Sequence, residues 1–185
     1  MNSIHDLQSF IDTLEDAGQL ARIRRPVSME HELADVGATL ERTGGGAALF
    51  ENPGESPWPI FSGGVASHRR TALALGCDES EIVDVMEHVL DPAHGVSPVL
   101  QDEAPWQANL LTADELDTGV LPVPIHSRGD GGAFITGAVT VARDPISGRG
   151  NLGYNRMLRL DDRRFGFNVN EWRDVGTFWK SRDEP

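Results

Sequence analysis

Two stretches of the chain carry residue types with chemical potential. In Asn151-Leu152-Gly153-Tyr154-Asn155-Arg156-Met157, two amides, a phenol and a guanidinium follow one another at the start of an apolar, strand-like run. Alternation along a strand sends Asn151, Gly153 and Asn155 to one face and Leu152, Tyr154 and Arg156 to the other. An arginine that shares a face with Leu152 and Tyr154 is expected to be partly desolvated and to need a carboxylate or a phosphate. A surface ion pair is the commoner fate of a single arginine. The second stretch is Gly129-Asp130-Gly131-Gly132, preceded by LPVPIHSR and followed by a strand. Glycines at this density let a ligand approach the backbone closely, although a tight turn is the commoner meaning of such a loop taken alone.

Other familiar chemistries find no footing. The six histidines, His5, His31, His68, His88, His94 and His126, are scattered without HxxxH or HExxH spacing, which gives no support to a zinc hydrolase. GxSxG does not occur, so nothing marks a nucleophile elbow. Cys77, the single cysteine, has no His or Asp at ligand spacing and reads as a structural residue.

The elements that must position these residues fall into two kinds. Leu7, Phe10, Ile11 and Leu14 sit at i, i+3, i+4 and i+7, with Asp6 as N-cap and Gly18 just past the end, and predict an amphipathic helix. An extended run from Leu20 to Val27 follows. Met29, Leu33, Val36 and Leu40 then mark a second helix that stops at Gly44-Gly45-Gly46, before a buried strand from Ala47 to Phe50. Pro59 to Val65 reads as a strand, Arg69 to Leu75 as a short helix, and Ser80 as the cap of a helix ended by Asp91-Pro92. Helix and strand alternate here as in an α/β layer.

From Pro92 to Pro124 the sequence turns Pro-rich and acidic, as in a crossover between units. Beyond it Phe134 to Arg143, Leu152 to Leu160 and Phe165 to Asn170 predict antiparallel strands, and Trp172 to Lys180 a short helix. The expected organisation is an α/β unit over 1–91, a linker over 92–124 and a β unit over 125–185. Three strands neither close a barrel nor cover both faces of a sheet, so something else is expected to supply the missing strands.

Charge narrows the partners. The chain of 185 residues carries 16 Lys and Arg against 29 Asp and Glu, a formal net charge of −13, which opposes binding to a nucleic acid or an anionic membrane surface. MNSIHDLQSF has no basic stretch followed by an apolar run, and no run of apolar residues is long enough to span a bilayer, so a cytoplasmic location is expected.

Several segments together resemble the UbiD-like decarboxylases, the 3-octaprenyl-4-hydroxybenzoate carboxy-lyase type. DLQSFIDTLEDAGQLARI resembles their first helix and strand, and GGGAALFENP with SHRRTALALG the segments that follow. LPVPIHSRGDGGAFITGAVTVARDPISGRGNLGYNRM resembles, in order, the family's LP…GDGG loop, its ITGxxxxxRDP strand and turn, and its N-x-G-x-x-R segment. The likeness runs from about Asp6 to Arg173.

The resemblance implies a fold and a chemistry. The β unit would be part of a split β-barrel of the flavin-reductase-like kind, incomplete within this chain. The cofactor would be prenylated FMN, anchored through its phosphate by Mn2+ and K+. A flavin prenyltransferase would supply it, and the substrate would be a small unsaturated or aromatic carboxylic acid that loses or gains CO2. The cofactor carries that chemistry while the protein orients and protonates. Carried over by position, Asn151 matches the metal-binding amide. Tyr154, Asn155 and Arg156 match the run along the flavin, and Arg156 also matches the arginine of the family's Glu-Arg-Glu network, the catalytic role here.

The chain departs from the family downstream. The family has a histidine after the arginine, but none occurs from Met157 to Pro185. Arg173 or Asp174 stands near its place, and Arg173 is assigned to the cofactor. The family's metal-binding glutamate and both network glutamates have no counterpart; Glu171 and Glu184 do not occupy those positions. The expected function is therefore a decarboxylase component that needs a second decarboxylase subunit, or other copies in a homo-oligomer. The alternative is a flavin- or phosphate-binding accessory module without turnover.

Overall fold

The computed structural model describes residues 4–183 apart from positions 55, 98, 109, 113 and 114. Helix α1 (Leu7–Asp16) begins where the sequence places it. Asp6 accepts from the Ser9 backbone N–H at 2.8 Å while the Ser9 hydroxyl receives the Asp6 N–H at 3.1 Å, a reciprocal cap. Gly18, just beyond the helix, takes φ +65°, which glycine adopts without steric cost. Ile11 and Leu14 are the buried side of this helix.

The first sheet is built from β1 (Leu20–Ile23), β2 (Ala47–Phe50) and β3 (Ile60–Ser62). β1 and β2 run parallel, joined across helix α2 (Glu32–Thr43), and β3 returns antiparallel on β2. β2 is central and buried at every position, as its unbroken apolar sequence requires. Phe50, Ala48, Val27 and Leu33 form the core, with Ile23, Val36, Leu40 and Ile60 packed around it.

Helix α3 (His68–Leu75) is capped by Ser67, and α4 (Ile82–Leu90) follows a single 3-10 turn over Glu79–Glu81. The expected cap at Ser80 gives way to Asp78, which forms a capping box with Glu81 and leaves Ser80 inside the 3-10 turn. The apolar residues of α4 also divide differently from the single packed face expected: Val83, Val89 and Leu90 are exposed and none of the helix is fully buried.

The described residues between 92 and 124 are mostly irregular, yet they are tied down at their end. Thr118 is buried, its N–H donating to Asp162 O at 2.8 Å and its hydroxyl to Asp161 O at 3.1 Å. Ile125 then joins the first unit: its N–H donates to Met29 O and its carbonyl accepts from the His31 N–H, both at 2.9 Å.

The remaining strands form two open pieces. A three-stranded antiparallel sheet is ordered β4 (Phe134–Ile135), β7 (Met157–Arg159), β8 (Phe165–Gly166), and β5 (Val139–Arg143) pairs with β6 (Gly150–Tyr154) in a hairpin. Each of the two long strands read from the sequence is thus broken into two, at 136–138 and at 155–156, and each half joins a different piece. Helix α5 (Asp174–Asp183) packs against β6 through the buried Phe178. No sheet closes. On the hairpin, Val139 stands opposite Tyr154 and Val141 opposite Leu152, an apolar cross-strand cluster that faces solvent. No helix of the described residues is long and apolar enough to cross a membrane.

Candidate functional site

A cleft of about 770 Å³ opens between the end of β6, the segment after β8 and the start of α5. Asn151 through Arg156 line one side, and Asn168, Asn170, Arg173 and Asp174 the other. The five residues assigned to the site from the resemblance, Asn151, Tyr154, Asn155, Arg156 and Arg173, border this one cleft, whereas Gly129 to Gly132 do not line it.

Strand alternation holds within β6. Asn151, Gly153 and Asn155 are half-buried while Leu152 and Tyr154 are 71% and 82% exposed. Gly153 keeps the floor between the two amides open. A Cβ there would lie 3.3 Å from Asn155 Nδ2 and 3.5 Å from Asn151 Oδ1. Asn155 Nδ2 donates to Thr140 Oγ1 on the neighbouring strand and to Gly153 O, both at 3.2 Å. These bonds fix the amide against the hairpin.

Arg156 differs from expectation. Its face is the solvent face, so the guanidinium is not desolvated: the side chain is 64% exposed. It lies 4.4 Å over the Phe134 ring and 3.5 Å from Asp130 Oδ1, whose side chain is only 17% exposed. The Gly-rich loop thereby supplies a carboxylate to the motif arginine. Sequence reasoning weighed the glycines of GDGG and passed over its aspartate; the signal that could have found it is the one acid in a loop otherwise free of side chains.

At the far end of the cleft, Asn151 Nδ2 donates to Asp174 Oδ2 at 2.9 Å, and Arg149 Nη2 donates to Asp174 Oδ1 at 2.8 Å. Both carboxylate oxygens are engaged. Arg149 also lies 5.5 Å from the Phe178 ring centroid. Arg173 lines the cleft and makes no side-chain hydrogen bond or ion pair among the described residues. Glu171 receives Lys180 Nζ at 2.6 Å, and Glu184 lies outside the described residues.

The resemblance implies a divalent metal. Hard cations take several oxygens, carboxylates above all. Here the cleft is lined by amides but by one carboxylate, Asp174, whose oxygens already hold Asn151 and Arg149. Among the described residues no group of three or more His, Cys, Asp or Glu side chains could hold a metal ion. The residues of this chain by themselves do not fit the metal. Cys77 is half-buried, and burial together with Glu81 and Asp78 pushes its thiol up, away from a reactive thiolate.

Residues 11–90 match the 3-octaprenyl-4-hydroxybenzoate carboxy-lyase N-terminal domain and residues 98–184 the Rift-related domain of the same enzyme family. The chain belongs to this UbiD family. It is 32% identical over 190 aligned residues to an uncharacterised protein encoded in the cooM 5′ region of Rhodospirillum rubrum, covering 98% of this chain and 40% of that one. The structure resembles the UbiD-class enzyme HmfF from Pelotomaculum thermopropionicum in complex with FMN, with a TM-score of 0.86 and 28% identity over 96% of this chain and 39% of that one. An evolved dimeric form of HmfF in complex with prenylated FMN gives a TM-score of 0.85 and 26% identity, over 97% and 42%. The chain therefore spans about two fifths of the length of these relatives.

Proposed function

We propose that this chain is a component of a prenylated-FMN-dependent carboxy-lyase that removes or adds CO2 on a small unsaturated or aromatic carboxylic acid. The observation that carries this reading is the convergence of Asn151, Tyr154, Asn155, Arg156 and Arg173 on one cleft, in a chain whose fold follows that of an enzyme bound to FMN. Arg156 and Arg173 bring positive charge to a cleft with three further amides from Asn155, Asn168 and Asn170, a lining suited to an anionic, hydrogen-bonding cofactor.

In this reading the β unit is part of a split β-barrel, completed by a second decarboxylase subunit or by another copy in an oligomer. The completing chain docks on the apolar cluster of Val139, Val141, Leu152 and Tyr154. It brings the carboxylates of the acid network, and Arg156, poised by Asp130, orients them and sets the proton donor's ionisation. Any Mn2+ and K+ of the assembled enzyme would rest on carboxylates of the completing chain, since Asp174 is already taken by Asn151 and Arg149. A flavin prenyltransferase supplies the cofactor, and the enzyme works in the cytoplasm.

The test is native mass spectrometry of the chain co-expressed with a flavin prenyltransferase, recording bound small molecules and co-purifying proteins. Prenylated FMN on the chain or its complex, lost in Arg156→Ala, is the expected result. A chain that binds neither ordinary nor prenylated flavin in any assembly would remove the reading.

A further inference from the structure

We propose that Arg149 is the resident cation of the Asn151–Asp174 end of the cleft, so that this chain binds a phosphate monoester without a divalent metal. The proposal rests on the function above only for the identity of the phosphate ligand, FMN.

The carboxylate that a metal would need is already neutralised. Asp174 Oδ1 accepts from Arg149 Nη2 at 2.8 Å and Asp174 Oδ2 from Asn151 Nδ2 at 2.9 Å. A metal at this point would have to displace a guanidinium and turn the Asn151 amide to present its oxygen. Arg149 is held in place from a second side by the ring of Phe178, itself 6% exposed, in the helix that Asp174 begins. A guanidinium has five N–H donors, and the hydrogen bond to Asp174 uses one. Arg149 does not itself line the cleft but is bonded to Asp174, which does, and its side chain is 62% exposed, so its remaining N–H groups are accessible to phosphate oxygens in the paired geometry that a guanidinium favours. Asp174 is also the first residue of α5, so its charge is balanced both by Arg149 and by the helix N-terminus. With one carboxylate answered by one guanidinium, the site keeps room for an anion and has no surplus negative charge to draw a dication.

The experiment titrates the purified full chain with FMN and with riboflavin, following flavin fluorescence in EDTA and in Mn2+, and follows Mn2+ itself by electron paramagnetic resonance. For the wild type, FMN affinity is expected to agree within twofold between EDTA and Mn2+, and the free Mn2+ signal to be undiminished. Arg149→Gln should weaken FMN at least tenfold and leave riboflavin unchanged, and Arg149→Lys should recover part of the loss. By freeing Asp174, Arg149→Gln should also gain Mn2+ binding that Arg149→Gln/Asp174→Asn loses again. Circular dichroism of each variant confirms the fold.

FMN binding that needs Mn2+, Mn2+ uptake by the wild type that depends on Asp174, or unchanged FMN affinity in Arg149→Gln would each overturn the proposal. If neither flavin binds the lone chain, the phosphate clause falls while the flavin reading of the assembled enzyme is decided by the co-expression experiment above, and the Mn2+ titrations alone decide whether Arg149 stands in for the metal.

Discussion

Asp130, in the Gly-rich loop, lies 3.5 Å from Arg156, the last charged residue of the Asn151–Met157 run, and the ring of Phe134 sits under the same guanidinium at 4.4 Å. The ion pair joins two motifs that the sequence presents as separate. Because the Arg156 side chain is 64% exposed, the pair contributes little to stability, about 0.5 kcal/mol as for other surface pairs. Its value is in orientation. Asp130→Asn is expected to leave thermal unfolding within a degree or two and to weaken flavin binding severalfold, with Arg156→Ala weaker still; fluorescence titration beside a melting curve separates the two effects.

Gly46 has φ +88°, and a Cβ there would lie 2.6 Å from the Gln19 carbonyl oxygen, a backbone atom of the adjoining segment. Neither the dihedral nor the contact can relax without moving the start of β1 or β2. Gly46→Ala should destabilise the chain by more than about 2 kcal/mol, seen as a lower urea midpoint with unchanged slope.

Arg70 is 3% exposed and pairs with Glu41, while its Nε finds no partner among the described residues. Removing the guanidinium leaves a half-buried carboxylate without its cation. Arg70→Ala is therefore predicted to cost about 3 kcal/mol, and Arg70→Met/Glu41→Leu, which replaces the pair with apolar groups, to recover most of it. Chemical denaturation of the three proteins measures both numbers.

Several carboxylates are held below their ordinary range by hydrogen bonds: Asp6 by the Ser9 backbone N–H, Glu32 by the Ser28 N–H and Arg25, and Asp144 by the Ser147 hydroxyl and the Ile146 N–H. A lowered folded value gives stability that is fully present above the unfolded value of about 4 and is lost as pH falls through the folded value. The melting temperature should therefore be flat from pH 7 to about pH 5 and fall below about pH 4. In Asp6→Ala the plateau itself should be lower and the acid fall shallower.

Val141→Lys/Leu152→Lys places two charges on the open face of the β5–β6 hairpin, where the pair stands in register. The fold should persist, since both side chains already face water, and self-association of the lone chain should fall. If this face receives the completing subunit, the same substitutions abolish co-purification, read by size-exclusion chromatography with light scattering.

The N-terminal elements were legible because each has local punctuation: Asp6 and Gly18 bound α1, Gly44 stops α2, and the apolar run AALF marks a strand buried on both faces. What stayed hidden depends on partners distant in sequence. Ser80 lost its capping role to Asp78 because a single 3-10 turn precedes α4, a shift of one turn that residue type does not reveal. The runs from Phe134 and from Leu152 each look continuous, yet Asn155 turns its amide onto Thr140 where the chain leaves β6, and Arg156 crosses to the GDGG loop. Asn151, Asn155 and Arg173 could be picked out only through the resemblance of their segments to the family's motifs. Arg149 could not, because its meaning comes from Asp174 in a helix 25 residues further on.

The hydrogen bonds between Ile125 and the backbone of Met29 and His31 have a consequence for how the chain comes to be folded. They close a loop of roughly a hundred residues, whose entropic cost grows only by about 0.6 kcal/mol for each doubling of length. The part of that loop between Leu90 and Thr118 can therefore lengthen, shorten or be nicked at little thermodynamic expense, so long as the two sides of the junction stay within reach. Two fragments cut between Leu90 and Thr118 should find one another and reassemble. A gene carrying this fold is thus open to fission and to new insertions at that stretch, a latitude that the tightly registered strands on either side do not share.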